Sequence, residues 1–145
     1  MATGAASIVT CPQCGTRNRV PQAKRGRVRC ASCHADLPWF VEADDATFHA
    51  AVVESTLPVL VDVWAPWCGP CRMVSPIVEQ FSRDFAGRLK VVKVNSDTSP
   101  RVSRAHGIQS IPTLLLYEGG REVSRQVGAL PAVQLRSWVD GALPS

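Results

Sequence analysis

Apolar positions fall into two unlike stretches of chain. Pro58-Val59-Leu60-Val61-Asp62-Val63-Trp64 is a nearly continuous apolar run, which predicts a buried central strand. Val74, Ile77, Val78, Phe81 and Phe85 recur at helical spacing. They predict a helix from about Cys68 to Phe85, with Pro76 inside it. Leu89 to Val94 reads as a second strand and Val102 to Ala105 as part of a short helix. Thr113 to Tyr117 and Arg121 to Val127 read as two strands joined by the hairpin signal Glu118-Gly119-Gly120. Asp44 or Asp45 can cap a helix through about Glu54, with Phe48, Val52 and Val53 on one face. Pro131 opens a last helix carrying Val133, Leu135, Trp138 and Val139. The order αβαβαββα predicts an α/β domain with a mixed sheet and helices on both faces.

The stretch before Leu37 follows no such pattern. Ile8, Val9, Val20 and Val28 are nearly all of its apolar side chains, too few for a core that offsets chain entropy. It is also basic: Arg17, Arg19, Lys24, Arg25, Arg27 and Arg29 face a single acid, Asp36, so residues 1–40 carry +5. The remaining residues carry −1, which gives the chain its net +4. The shift in composition predicts two modules, residues 1–37 and 38–145, joined through Pro38-Trp39-Phe40-Val41.

All six cysteines lie in Cys-x-x-Cys pairs: Cys11/Cys14, Cys30/Cys33 and Cys68/Cys71. The first two pairs stand fifteen residues apart, the spacing of two knuckles that hold one zinc ion with four thiolates. Cys11, Cys14, Cys30 and Cys33 are therefore the expected metal ligands, and the module is expected to fold around the ion. His34 is a less favoured fourth ligand. Cys30-x-x-Cys33-His34 also matches a c-type haem attachment, which would leave Cys11 and Cys14 unused. The basic residues suggest a nucleic-acid ribbon, but no aromatic residue is interleaved for base stacking. Positive charge also offsets the net negative charge of a four-thiolate zinc site, so nucleic acid is not the expected partner.

The third pair sits where a helix is predicted to begin. Three-residue spacing there brings both sulfurs to one face, and the helix N-terminus stabilises a thiolate on the first. Cys68 is thus the expected nucleophile in disulfide exchange and Cys71 the resolving thiol. Gly69 allows close approach of a protein substrate, and Pro70 suits a first-turn position. Asp62 interrupts the apolar strand just before the motif. Its burial should raise its pKa and fit it to take the Cys71 proton, with Lys93 on the neighbouring strand as its natural partner.

Val61-Asp62-Val63-Trp64-Ala65-Pro66-Trp67-Cys68-Gly69-Pro70-Cys71 resembles the thioredoxin signature almost residue for residue, as do Ser110-Ile111-Pro112-Thr113 and Val127-Gly128-Ala129. The resemblance runs from about Val41 to the C-terminus. It implies a thioredoxin fold and reduction of protein disulfides. It implies also that Pro112 is a cis-proline packed on the redox pair and that the Ile111 backbone hydrogen-bonds an extended substrate. Trp67, Gly128 and Ala129 would complete an apolar groove. A zinc ribbon ahead of such a domain resembles the thioredoxin 2 subfamily over the whole chain. Nothing resembles a dinucleotide-binding glycine loop, so electrons are expected from a separate flavin- and NADPH-dependent thioredoxin reductase, with no organic cofactor here. The different-class alternative is a zinc-ribbon binding module for nucleic acid or protein, scaffolded by the second domain. No stretch approaches the ~20 apolar residues of a membrane span, and residues 1–10 lack a basic secretory start, so a cytoplasmic location is expected.

Overall fold

The computed structural model describes residues 6–143. The ends of the two expected modules, residues 1–5 and 144–145, lie outside the described residues. The chain begins with an antiparallel pair, β1 (Ser7–Thr10) and β2 (Arg17–Val20). A five-stranded sheet follows from β3 (Phe40–Ala43), β4 (Val59–Trp64), β5 (Lys90–Asn95), β6 (Thr113–Glu118) and β7 (Arg121–Val127). Its order is β3-β5-β4-β6-β7. β3 and β4 run parallel to β5, and β6 runs antiparallel to β4 and β7. Among the described residues three α-helices complete the fold: α1 (Gly69–Asp84), α2 (Pro100–Ala105) and α3 (Ala132–Ala142). The mixed sheet flanked by helices is the one the pattern of apolar positions predicts, and its thioredoxin-type arrangement is the one the resemblance implies.

Strand side chains alternate between two packed faces. Leu60, Val91, Leu114 and Leu116 pack against Val74, Val78 and Phe81 of α1 and Leu135 and Val139 of α3. Asp62 and Lys93 share that parity, so they lie on the α1 side of the sheet. Val61, Val63, Val92, Val94 and Leu115 face the other way.

Two features depart from the expectations set by the sequence. The second half of the join at residues 38–41 is strand: Phe40 and Val41 open β3, which forms the sheet edge because its backbone pairs with β5 from Phe40↔Val91 to Ala43↔Val94. The helix expected from Asp44 to Glu54 is a capped turn followed by a π-helical turn, His49–Val53. Asp44 Oδ1 accepts from the backbone N–H groups of Ala46 and Thr47 at 3.0 and 3.1 Å, and this local cap fixes the entry. The first module, short of apolar side chains of its own, packs onto the sheet domain's core. Val20, Val28 and Leu37 are buried in one cluster with Trp39, Val52, Val92 and Leu115.

Trp39 is the centre of that junction and is almost fully buried. Its indole Nε1–H donates to the Pro21 carbonyl at 2.9 Å. The Lys90 ammonium lies 4.3 Å from the Trp39 ring centroid and donates to the Gln22 and Ala51 carbonyls, each at 2.6 Å. A buried lysine is costly unless its ammonium is satisfied, and here two carbonyls and an aromatic face receive it.

Candidate functional site

α1 begins immediately after β4, and this junction carries the redox pair. Cys68 is the N-cap of α1, with extended backbone angles, and its Sγ accepts the Cys71 backbone N–H at 3.2 Å. Pro70 lies in the first turn, where its missing N–H leaves nothing unpaired. Cys68 and Cys71 are joined as a disulfide, with Cα atoms 5.3 Å apart. A Cβ added at Gly69 would meet no atom within 4 Å, so the turn beside the pair faces open space, while Cys68 and Cys71 are themselves buried.

The residues around the disulfide come from separate segments. Cys68 Sγ lies 3.8 Å from the Ile111 carbonyl oxygen. The Ile111–Pro112 peptide is cis, and Pro112 is buried. The Gly128 N–H donates to the Pro112 carbonyl at 2.8 Å, which ties the Gly128-Ala129 segment to this loop. Trp67 is exposed, and its Nε1–H donates to Asp97 Oδ2 at 3.0 Å. Beside it opens a cleft of about 780 Å³, lined by Trp67, Pro100, Arg104, Ile108, Gln109 and Ile111. Gly128 and Ala129 do not line this cleft.

Asp62 is fully buried, and neither carboxylate oxygen has a hydrogen-bond partner among the described residues. Burial pushes its pKa up to about 6, against the opposing pull of Lys93. Lys93 stands opposite Asp62 in the β4–β5 register, yet the two form no ion pair. The Lys93 ammonium donates to Ser75 Oγ at 2.7 Å and lies 4.3 Å from the Trp64 ring centroid. Ser75 and Trp64 take the ammonium, and the Asp62 carboxylate feels Lys93 through space.

The other four cysteines form a second centre. Their sulfurs all lie within 4.8 Å of one another. Cys11 and Cys33 sulfurs are 3.6 Å apart, and Cys14 and Cys30 sulfurs 3.5 Å. Thiolates bound tetrahedrally to a metal at ~2.3 Å lie ~3.8 Å apart, so the spacing fits one ion. The two knuckles repeat each other. Gly15 N–H donates to the Cys11 carbonyl, and His34 N–H to the Cys30 carbonyl. Gln13 N–H points at Cys11 Sγ and Ser32 N–H at Cys30 Sγ, both at 3.4 Å. Gly15 and His34 both adopt positive φ, 79° and 67°. His34 thus occupies the turn's tail, where Gly15 sits in the first knuckle, and it is exposed and outside the ligand cluster. Backbone donation from Cys33 is the largest of several effects that lower the Cys30 thiol to about 5, whereas at Cys33, against backbone donation from Ala35, burial and the neighbouring sulfurs push the thiol up to about 11.

Ser75 and Asp97 also belong to the redox site, and the sequence motifs do not point to either. A signal for Ser75 exists: it lies four residues after Cys71, hence on the same face of α1. Asp97 has no local signal, because its contact with Trp67 spans thirty residues.

A family model described as Thioredoxin matches residues 39–141. The chain belongs to the thioredoxin family. It is 51% identical over 99 residues to "Thioredoxin 1" of Nostoc sp., covering 68% of this chain and 92% of that protein. It is 46% identical over 97 residues to "Thioredoxin" of Haemophilus influenzae, covering 67% and 91%. "Thioredoxin M5, chloroplastic" of Oryza sativa subsp. japonica is 35% identical over 140 residues, covering 97% and 81%. With this membership and a Cys-Gly-Pro-Cys disulfide at a helix start, the protein is a thiol–disulfide oxidoreductase that reduces protein disulfides. The four-cysteine cluster lies outside the range that the family model matches.

Proposed function

We propose that the protein reduces disulfides of other proteins through Cys68 and Cys71, is recharged by thioredoxin reductase with electrons from NADPH, and carries one structural zinc ion. The observation that supports this most strongly is the Cys68–Cys71 disulfide at the α1 N-terminus, beside the Ile111–Pro112 loop. The Cys68 thiolate attacks one sulfur of the substrate disulfide, breaks that bond and releases the first substrate thiolate. Cys71 then gives its proton to Asp62 and attacks Cys68 Sγ. The mixed disulfide breaks, the second substrate thiolate leaves, and the Cys68–Cys71 disulfide forms. Two electrons have passed from the dithiol to the substrate, and the reductase returns two.

Asp62 suits the proton step because it lies on the α1 side of the sheet, unpartnered among the described residues, with a pKa raised to about 6. Lys93 acts on that carboxylate through space. Gly69 and Pro70 shape the open turn over the sulfurs. Trp67, Ile111, Pro112, Gly128 and Ala129 receive the substrate, with Ile111 offering its backbone to an extended segment.

Cys11, Cys14, Cys30 and Cys33 hold the zinc ion, for which four thiolates at tetrahedral spacing are the fitting donor set. Bound there, the ion cross-links the two knuckles and takes no part in electron transfer. Residues 1–37 then form a zinc ribbon and residues 38–145 the thioredoxin domain, the arrangement of the thioredoxin 2 subfamily. Among the described residues no helix is long and apolar enough to cross a membrane, and we place the protein in the cytoplasm.

The test is turnover of a model protein disulfide with NADPH and thioredoxin reductase, with zinc measured on the same sample. Steady NADPH consumption that needs both Cys68 and Cys71, with one zinc ion per chain, is the expected result. Consumption that persists in Cys68→Ser overturns the catalytic assignment, and a metal-free native chain overturns the ribbon.

A further inference from the structure

We infer that Ser75 is a positioning residue for the resolving step: its hydroxyl holds the Lys93 ammonium away from Asp62, and so leaves that carboxylate free to take the Cys71 proton. The inference rests on the reading of Asp62 as proton acceptor.

The geometry begins with the register of the sheet. Asp62 on β4 is paired with Lys93 on β5 and with Leu114 on β6. A lysine and an aspartate side by side on one buried face would ordinarily meet as an ion pair. They do not: no salt bridge joins them, and both Asp62 oxygens are without a hydrogen-bond partner among the described residues. The ammonium is instead held at Ser75 Oγ, 2.7 Å away, and over the Trp64 ring. Ser75 reaches it because Ser75 lies one helical turn beyond Cys71, half-buried at the margin of the face that α1 packs on the sheet. Cys71, Ser75, Lys93 and Asp62 thus share the layer between α1 and the sheet. Val74, Val78, Leu60 and Leu114 pack in that layer, and among the described residues Lys93 is the one charge that shifts Asp62.

The consequence is chemical. An opposite charge brought within about 4–6 Å lowers a carboxylate's pKa by about 1–3. An Asp62 in direct contact with Lys93 would be a weaker base, and the proton of Cys71 would leave less readily. At a distance, Lys93 still moderates the burial cost of the carboxylate without neutralising its basicity. A hydroxyl suits this role because it accepts from the ammonium and adds no charge to the layer.

The test compares wild type, Ser75→Ala, Ser75→Thr, Asp62→Asn and Lys93→Met in the full zinc-loaded chain. Two readouts are taken: the carboxyl carbon titration of Asp62 by NMR, and the rate at which Cys71 resolves a preformed mixed disulfide on Cys68 with a coloured aromatic thiol, from about pH 5 to 9. Ser75→Ala should lower the Asp62 titration by about one pH unit and slow the high-pH resolving rate about threefold, as expected for a weaker general base. Ser75→Thr, which keeps the hydroxyl, should restore both. In the Lys93→Met background Ser75→Ala should change neither, because the coupling runs through the ammonium. An Asp62 titration that stays in place or rises in Ser75→Ala overturns the role of Ser75. A pH–rate profile that Asp62→Asn leaves unchanged overturns the reading of Asp62 itself, and with it the function of the Ser75 hydroxyl.

Discussion

Replacing Asp62 with asparagine removes a charge from the most desolvated carboxyl site in the redox layer while preserving its shape. Asp62 is fully buried with both oxygens unpartnered among the described residues, and burial raises its pKa from 3.8 to about 6. Between those two values the folded chain holds a proton that the unfolded chain has released. Stability from this group therefore falls as pH rises through that window, and the loss is complete above about pH 6. The gap between the two pKa values corresponds to about 3 kcal/mol. A neutral carboxyl and an amide have nearly the same size and are both polar, so the cost of burying an unpartnered polar group largely cancels. Asp62→Asn should then stabilise the oxidised protein by about 3 kcal/mol at neutral pH, or by roughly 6–12 °C in Tm for a chain of this size. Below about pH 4 the two proteins should be equally stable. Denaturant unfolding of both, taken across that pH range, checks the claim. Stabilities that differ by the same amount at every pH, or not at all, would mean that Asp62 is already neutral or solvated. The same variant should also resolve mixed disulfides more slowly, as the proposed proton transfer from Cys71 to Asp62 requires.

The junction and the metal centre can be probed in the same way. Trp39→Ala should cost about 3–5 kcal/mol in urea unfolding, because it empties the centre of the junction and frees the Pro21 carbonyl; an unchanged midpoint would mean the first module is not docked there. Burial lowers the pKa of Lys90 to about 8, so between about pH 8 and 10.5 the unfolded chain binds a proton that the folded chain does not. The stability of wild type relative to Lys90→Met should accordingly rise with pH across that window, as followed by thermal unfolding of both. A strong zinc chelator should release one ion per chain and open the knuckles to thiol-specific alkylation at all four cysteines, counted by mass spectrometry.

The elements that the sequence announces most clearly are those whose signal is local. β4 is a run of five apolar residues broken by Asp62, and α1 repeats Val74, Val78 and Phe81 at helical spacing, so both are legible without knowledge of what they pack against. β3 is not. Phe40–Ala43 is short, lies next to a proline and a tryptophan, and becomes a strand because β5 offers it a partner fifty residues later. The first module misleads for a related reason. Val20, Val28 and Leu37 are too few to make a core of their own, but they suffice when the sheet domain supplies the rest. In the redox site, the motif and the buried acid could be read directly. The direction of the Lys93 ammonium could not, because Ser75 competes for it across the helix–sheet interface, and that choice is made by packing rather than by spacing.

That Cys68 attacks and Cys71 resolves is tested most directly by trapping. Cys71→Ser and Cys68→Ser are mixed separately with a disulfide-containing protein, and the adducts are weighed by mass spectrometry under non-reducing conditions. A stable mixed disulfide on Cys68 in Cys71→Ser, and none on Cys71 in Cys68→Ser, is the predicted result; adducts that form equally on both variants, or on Cys71 alone, would contradict it.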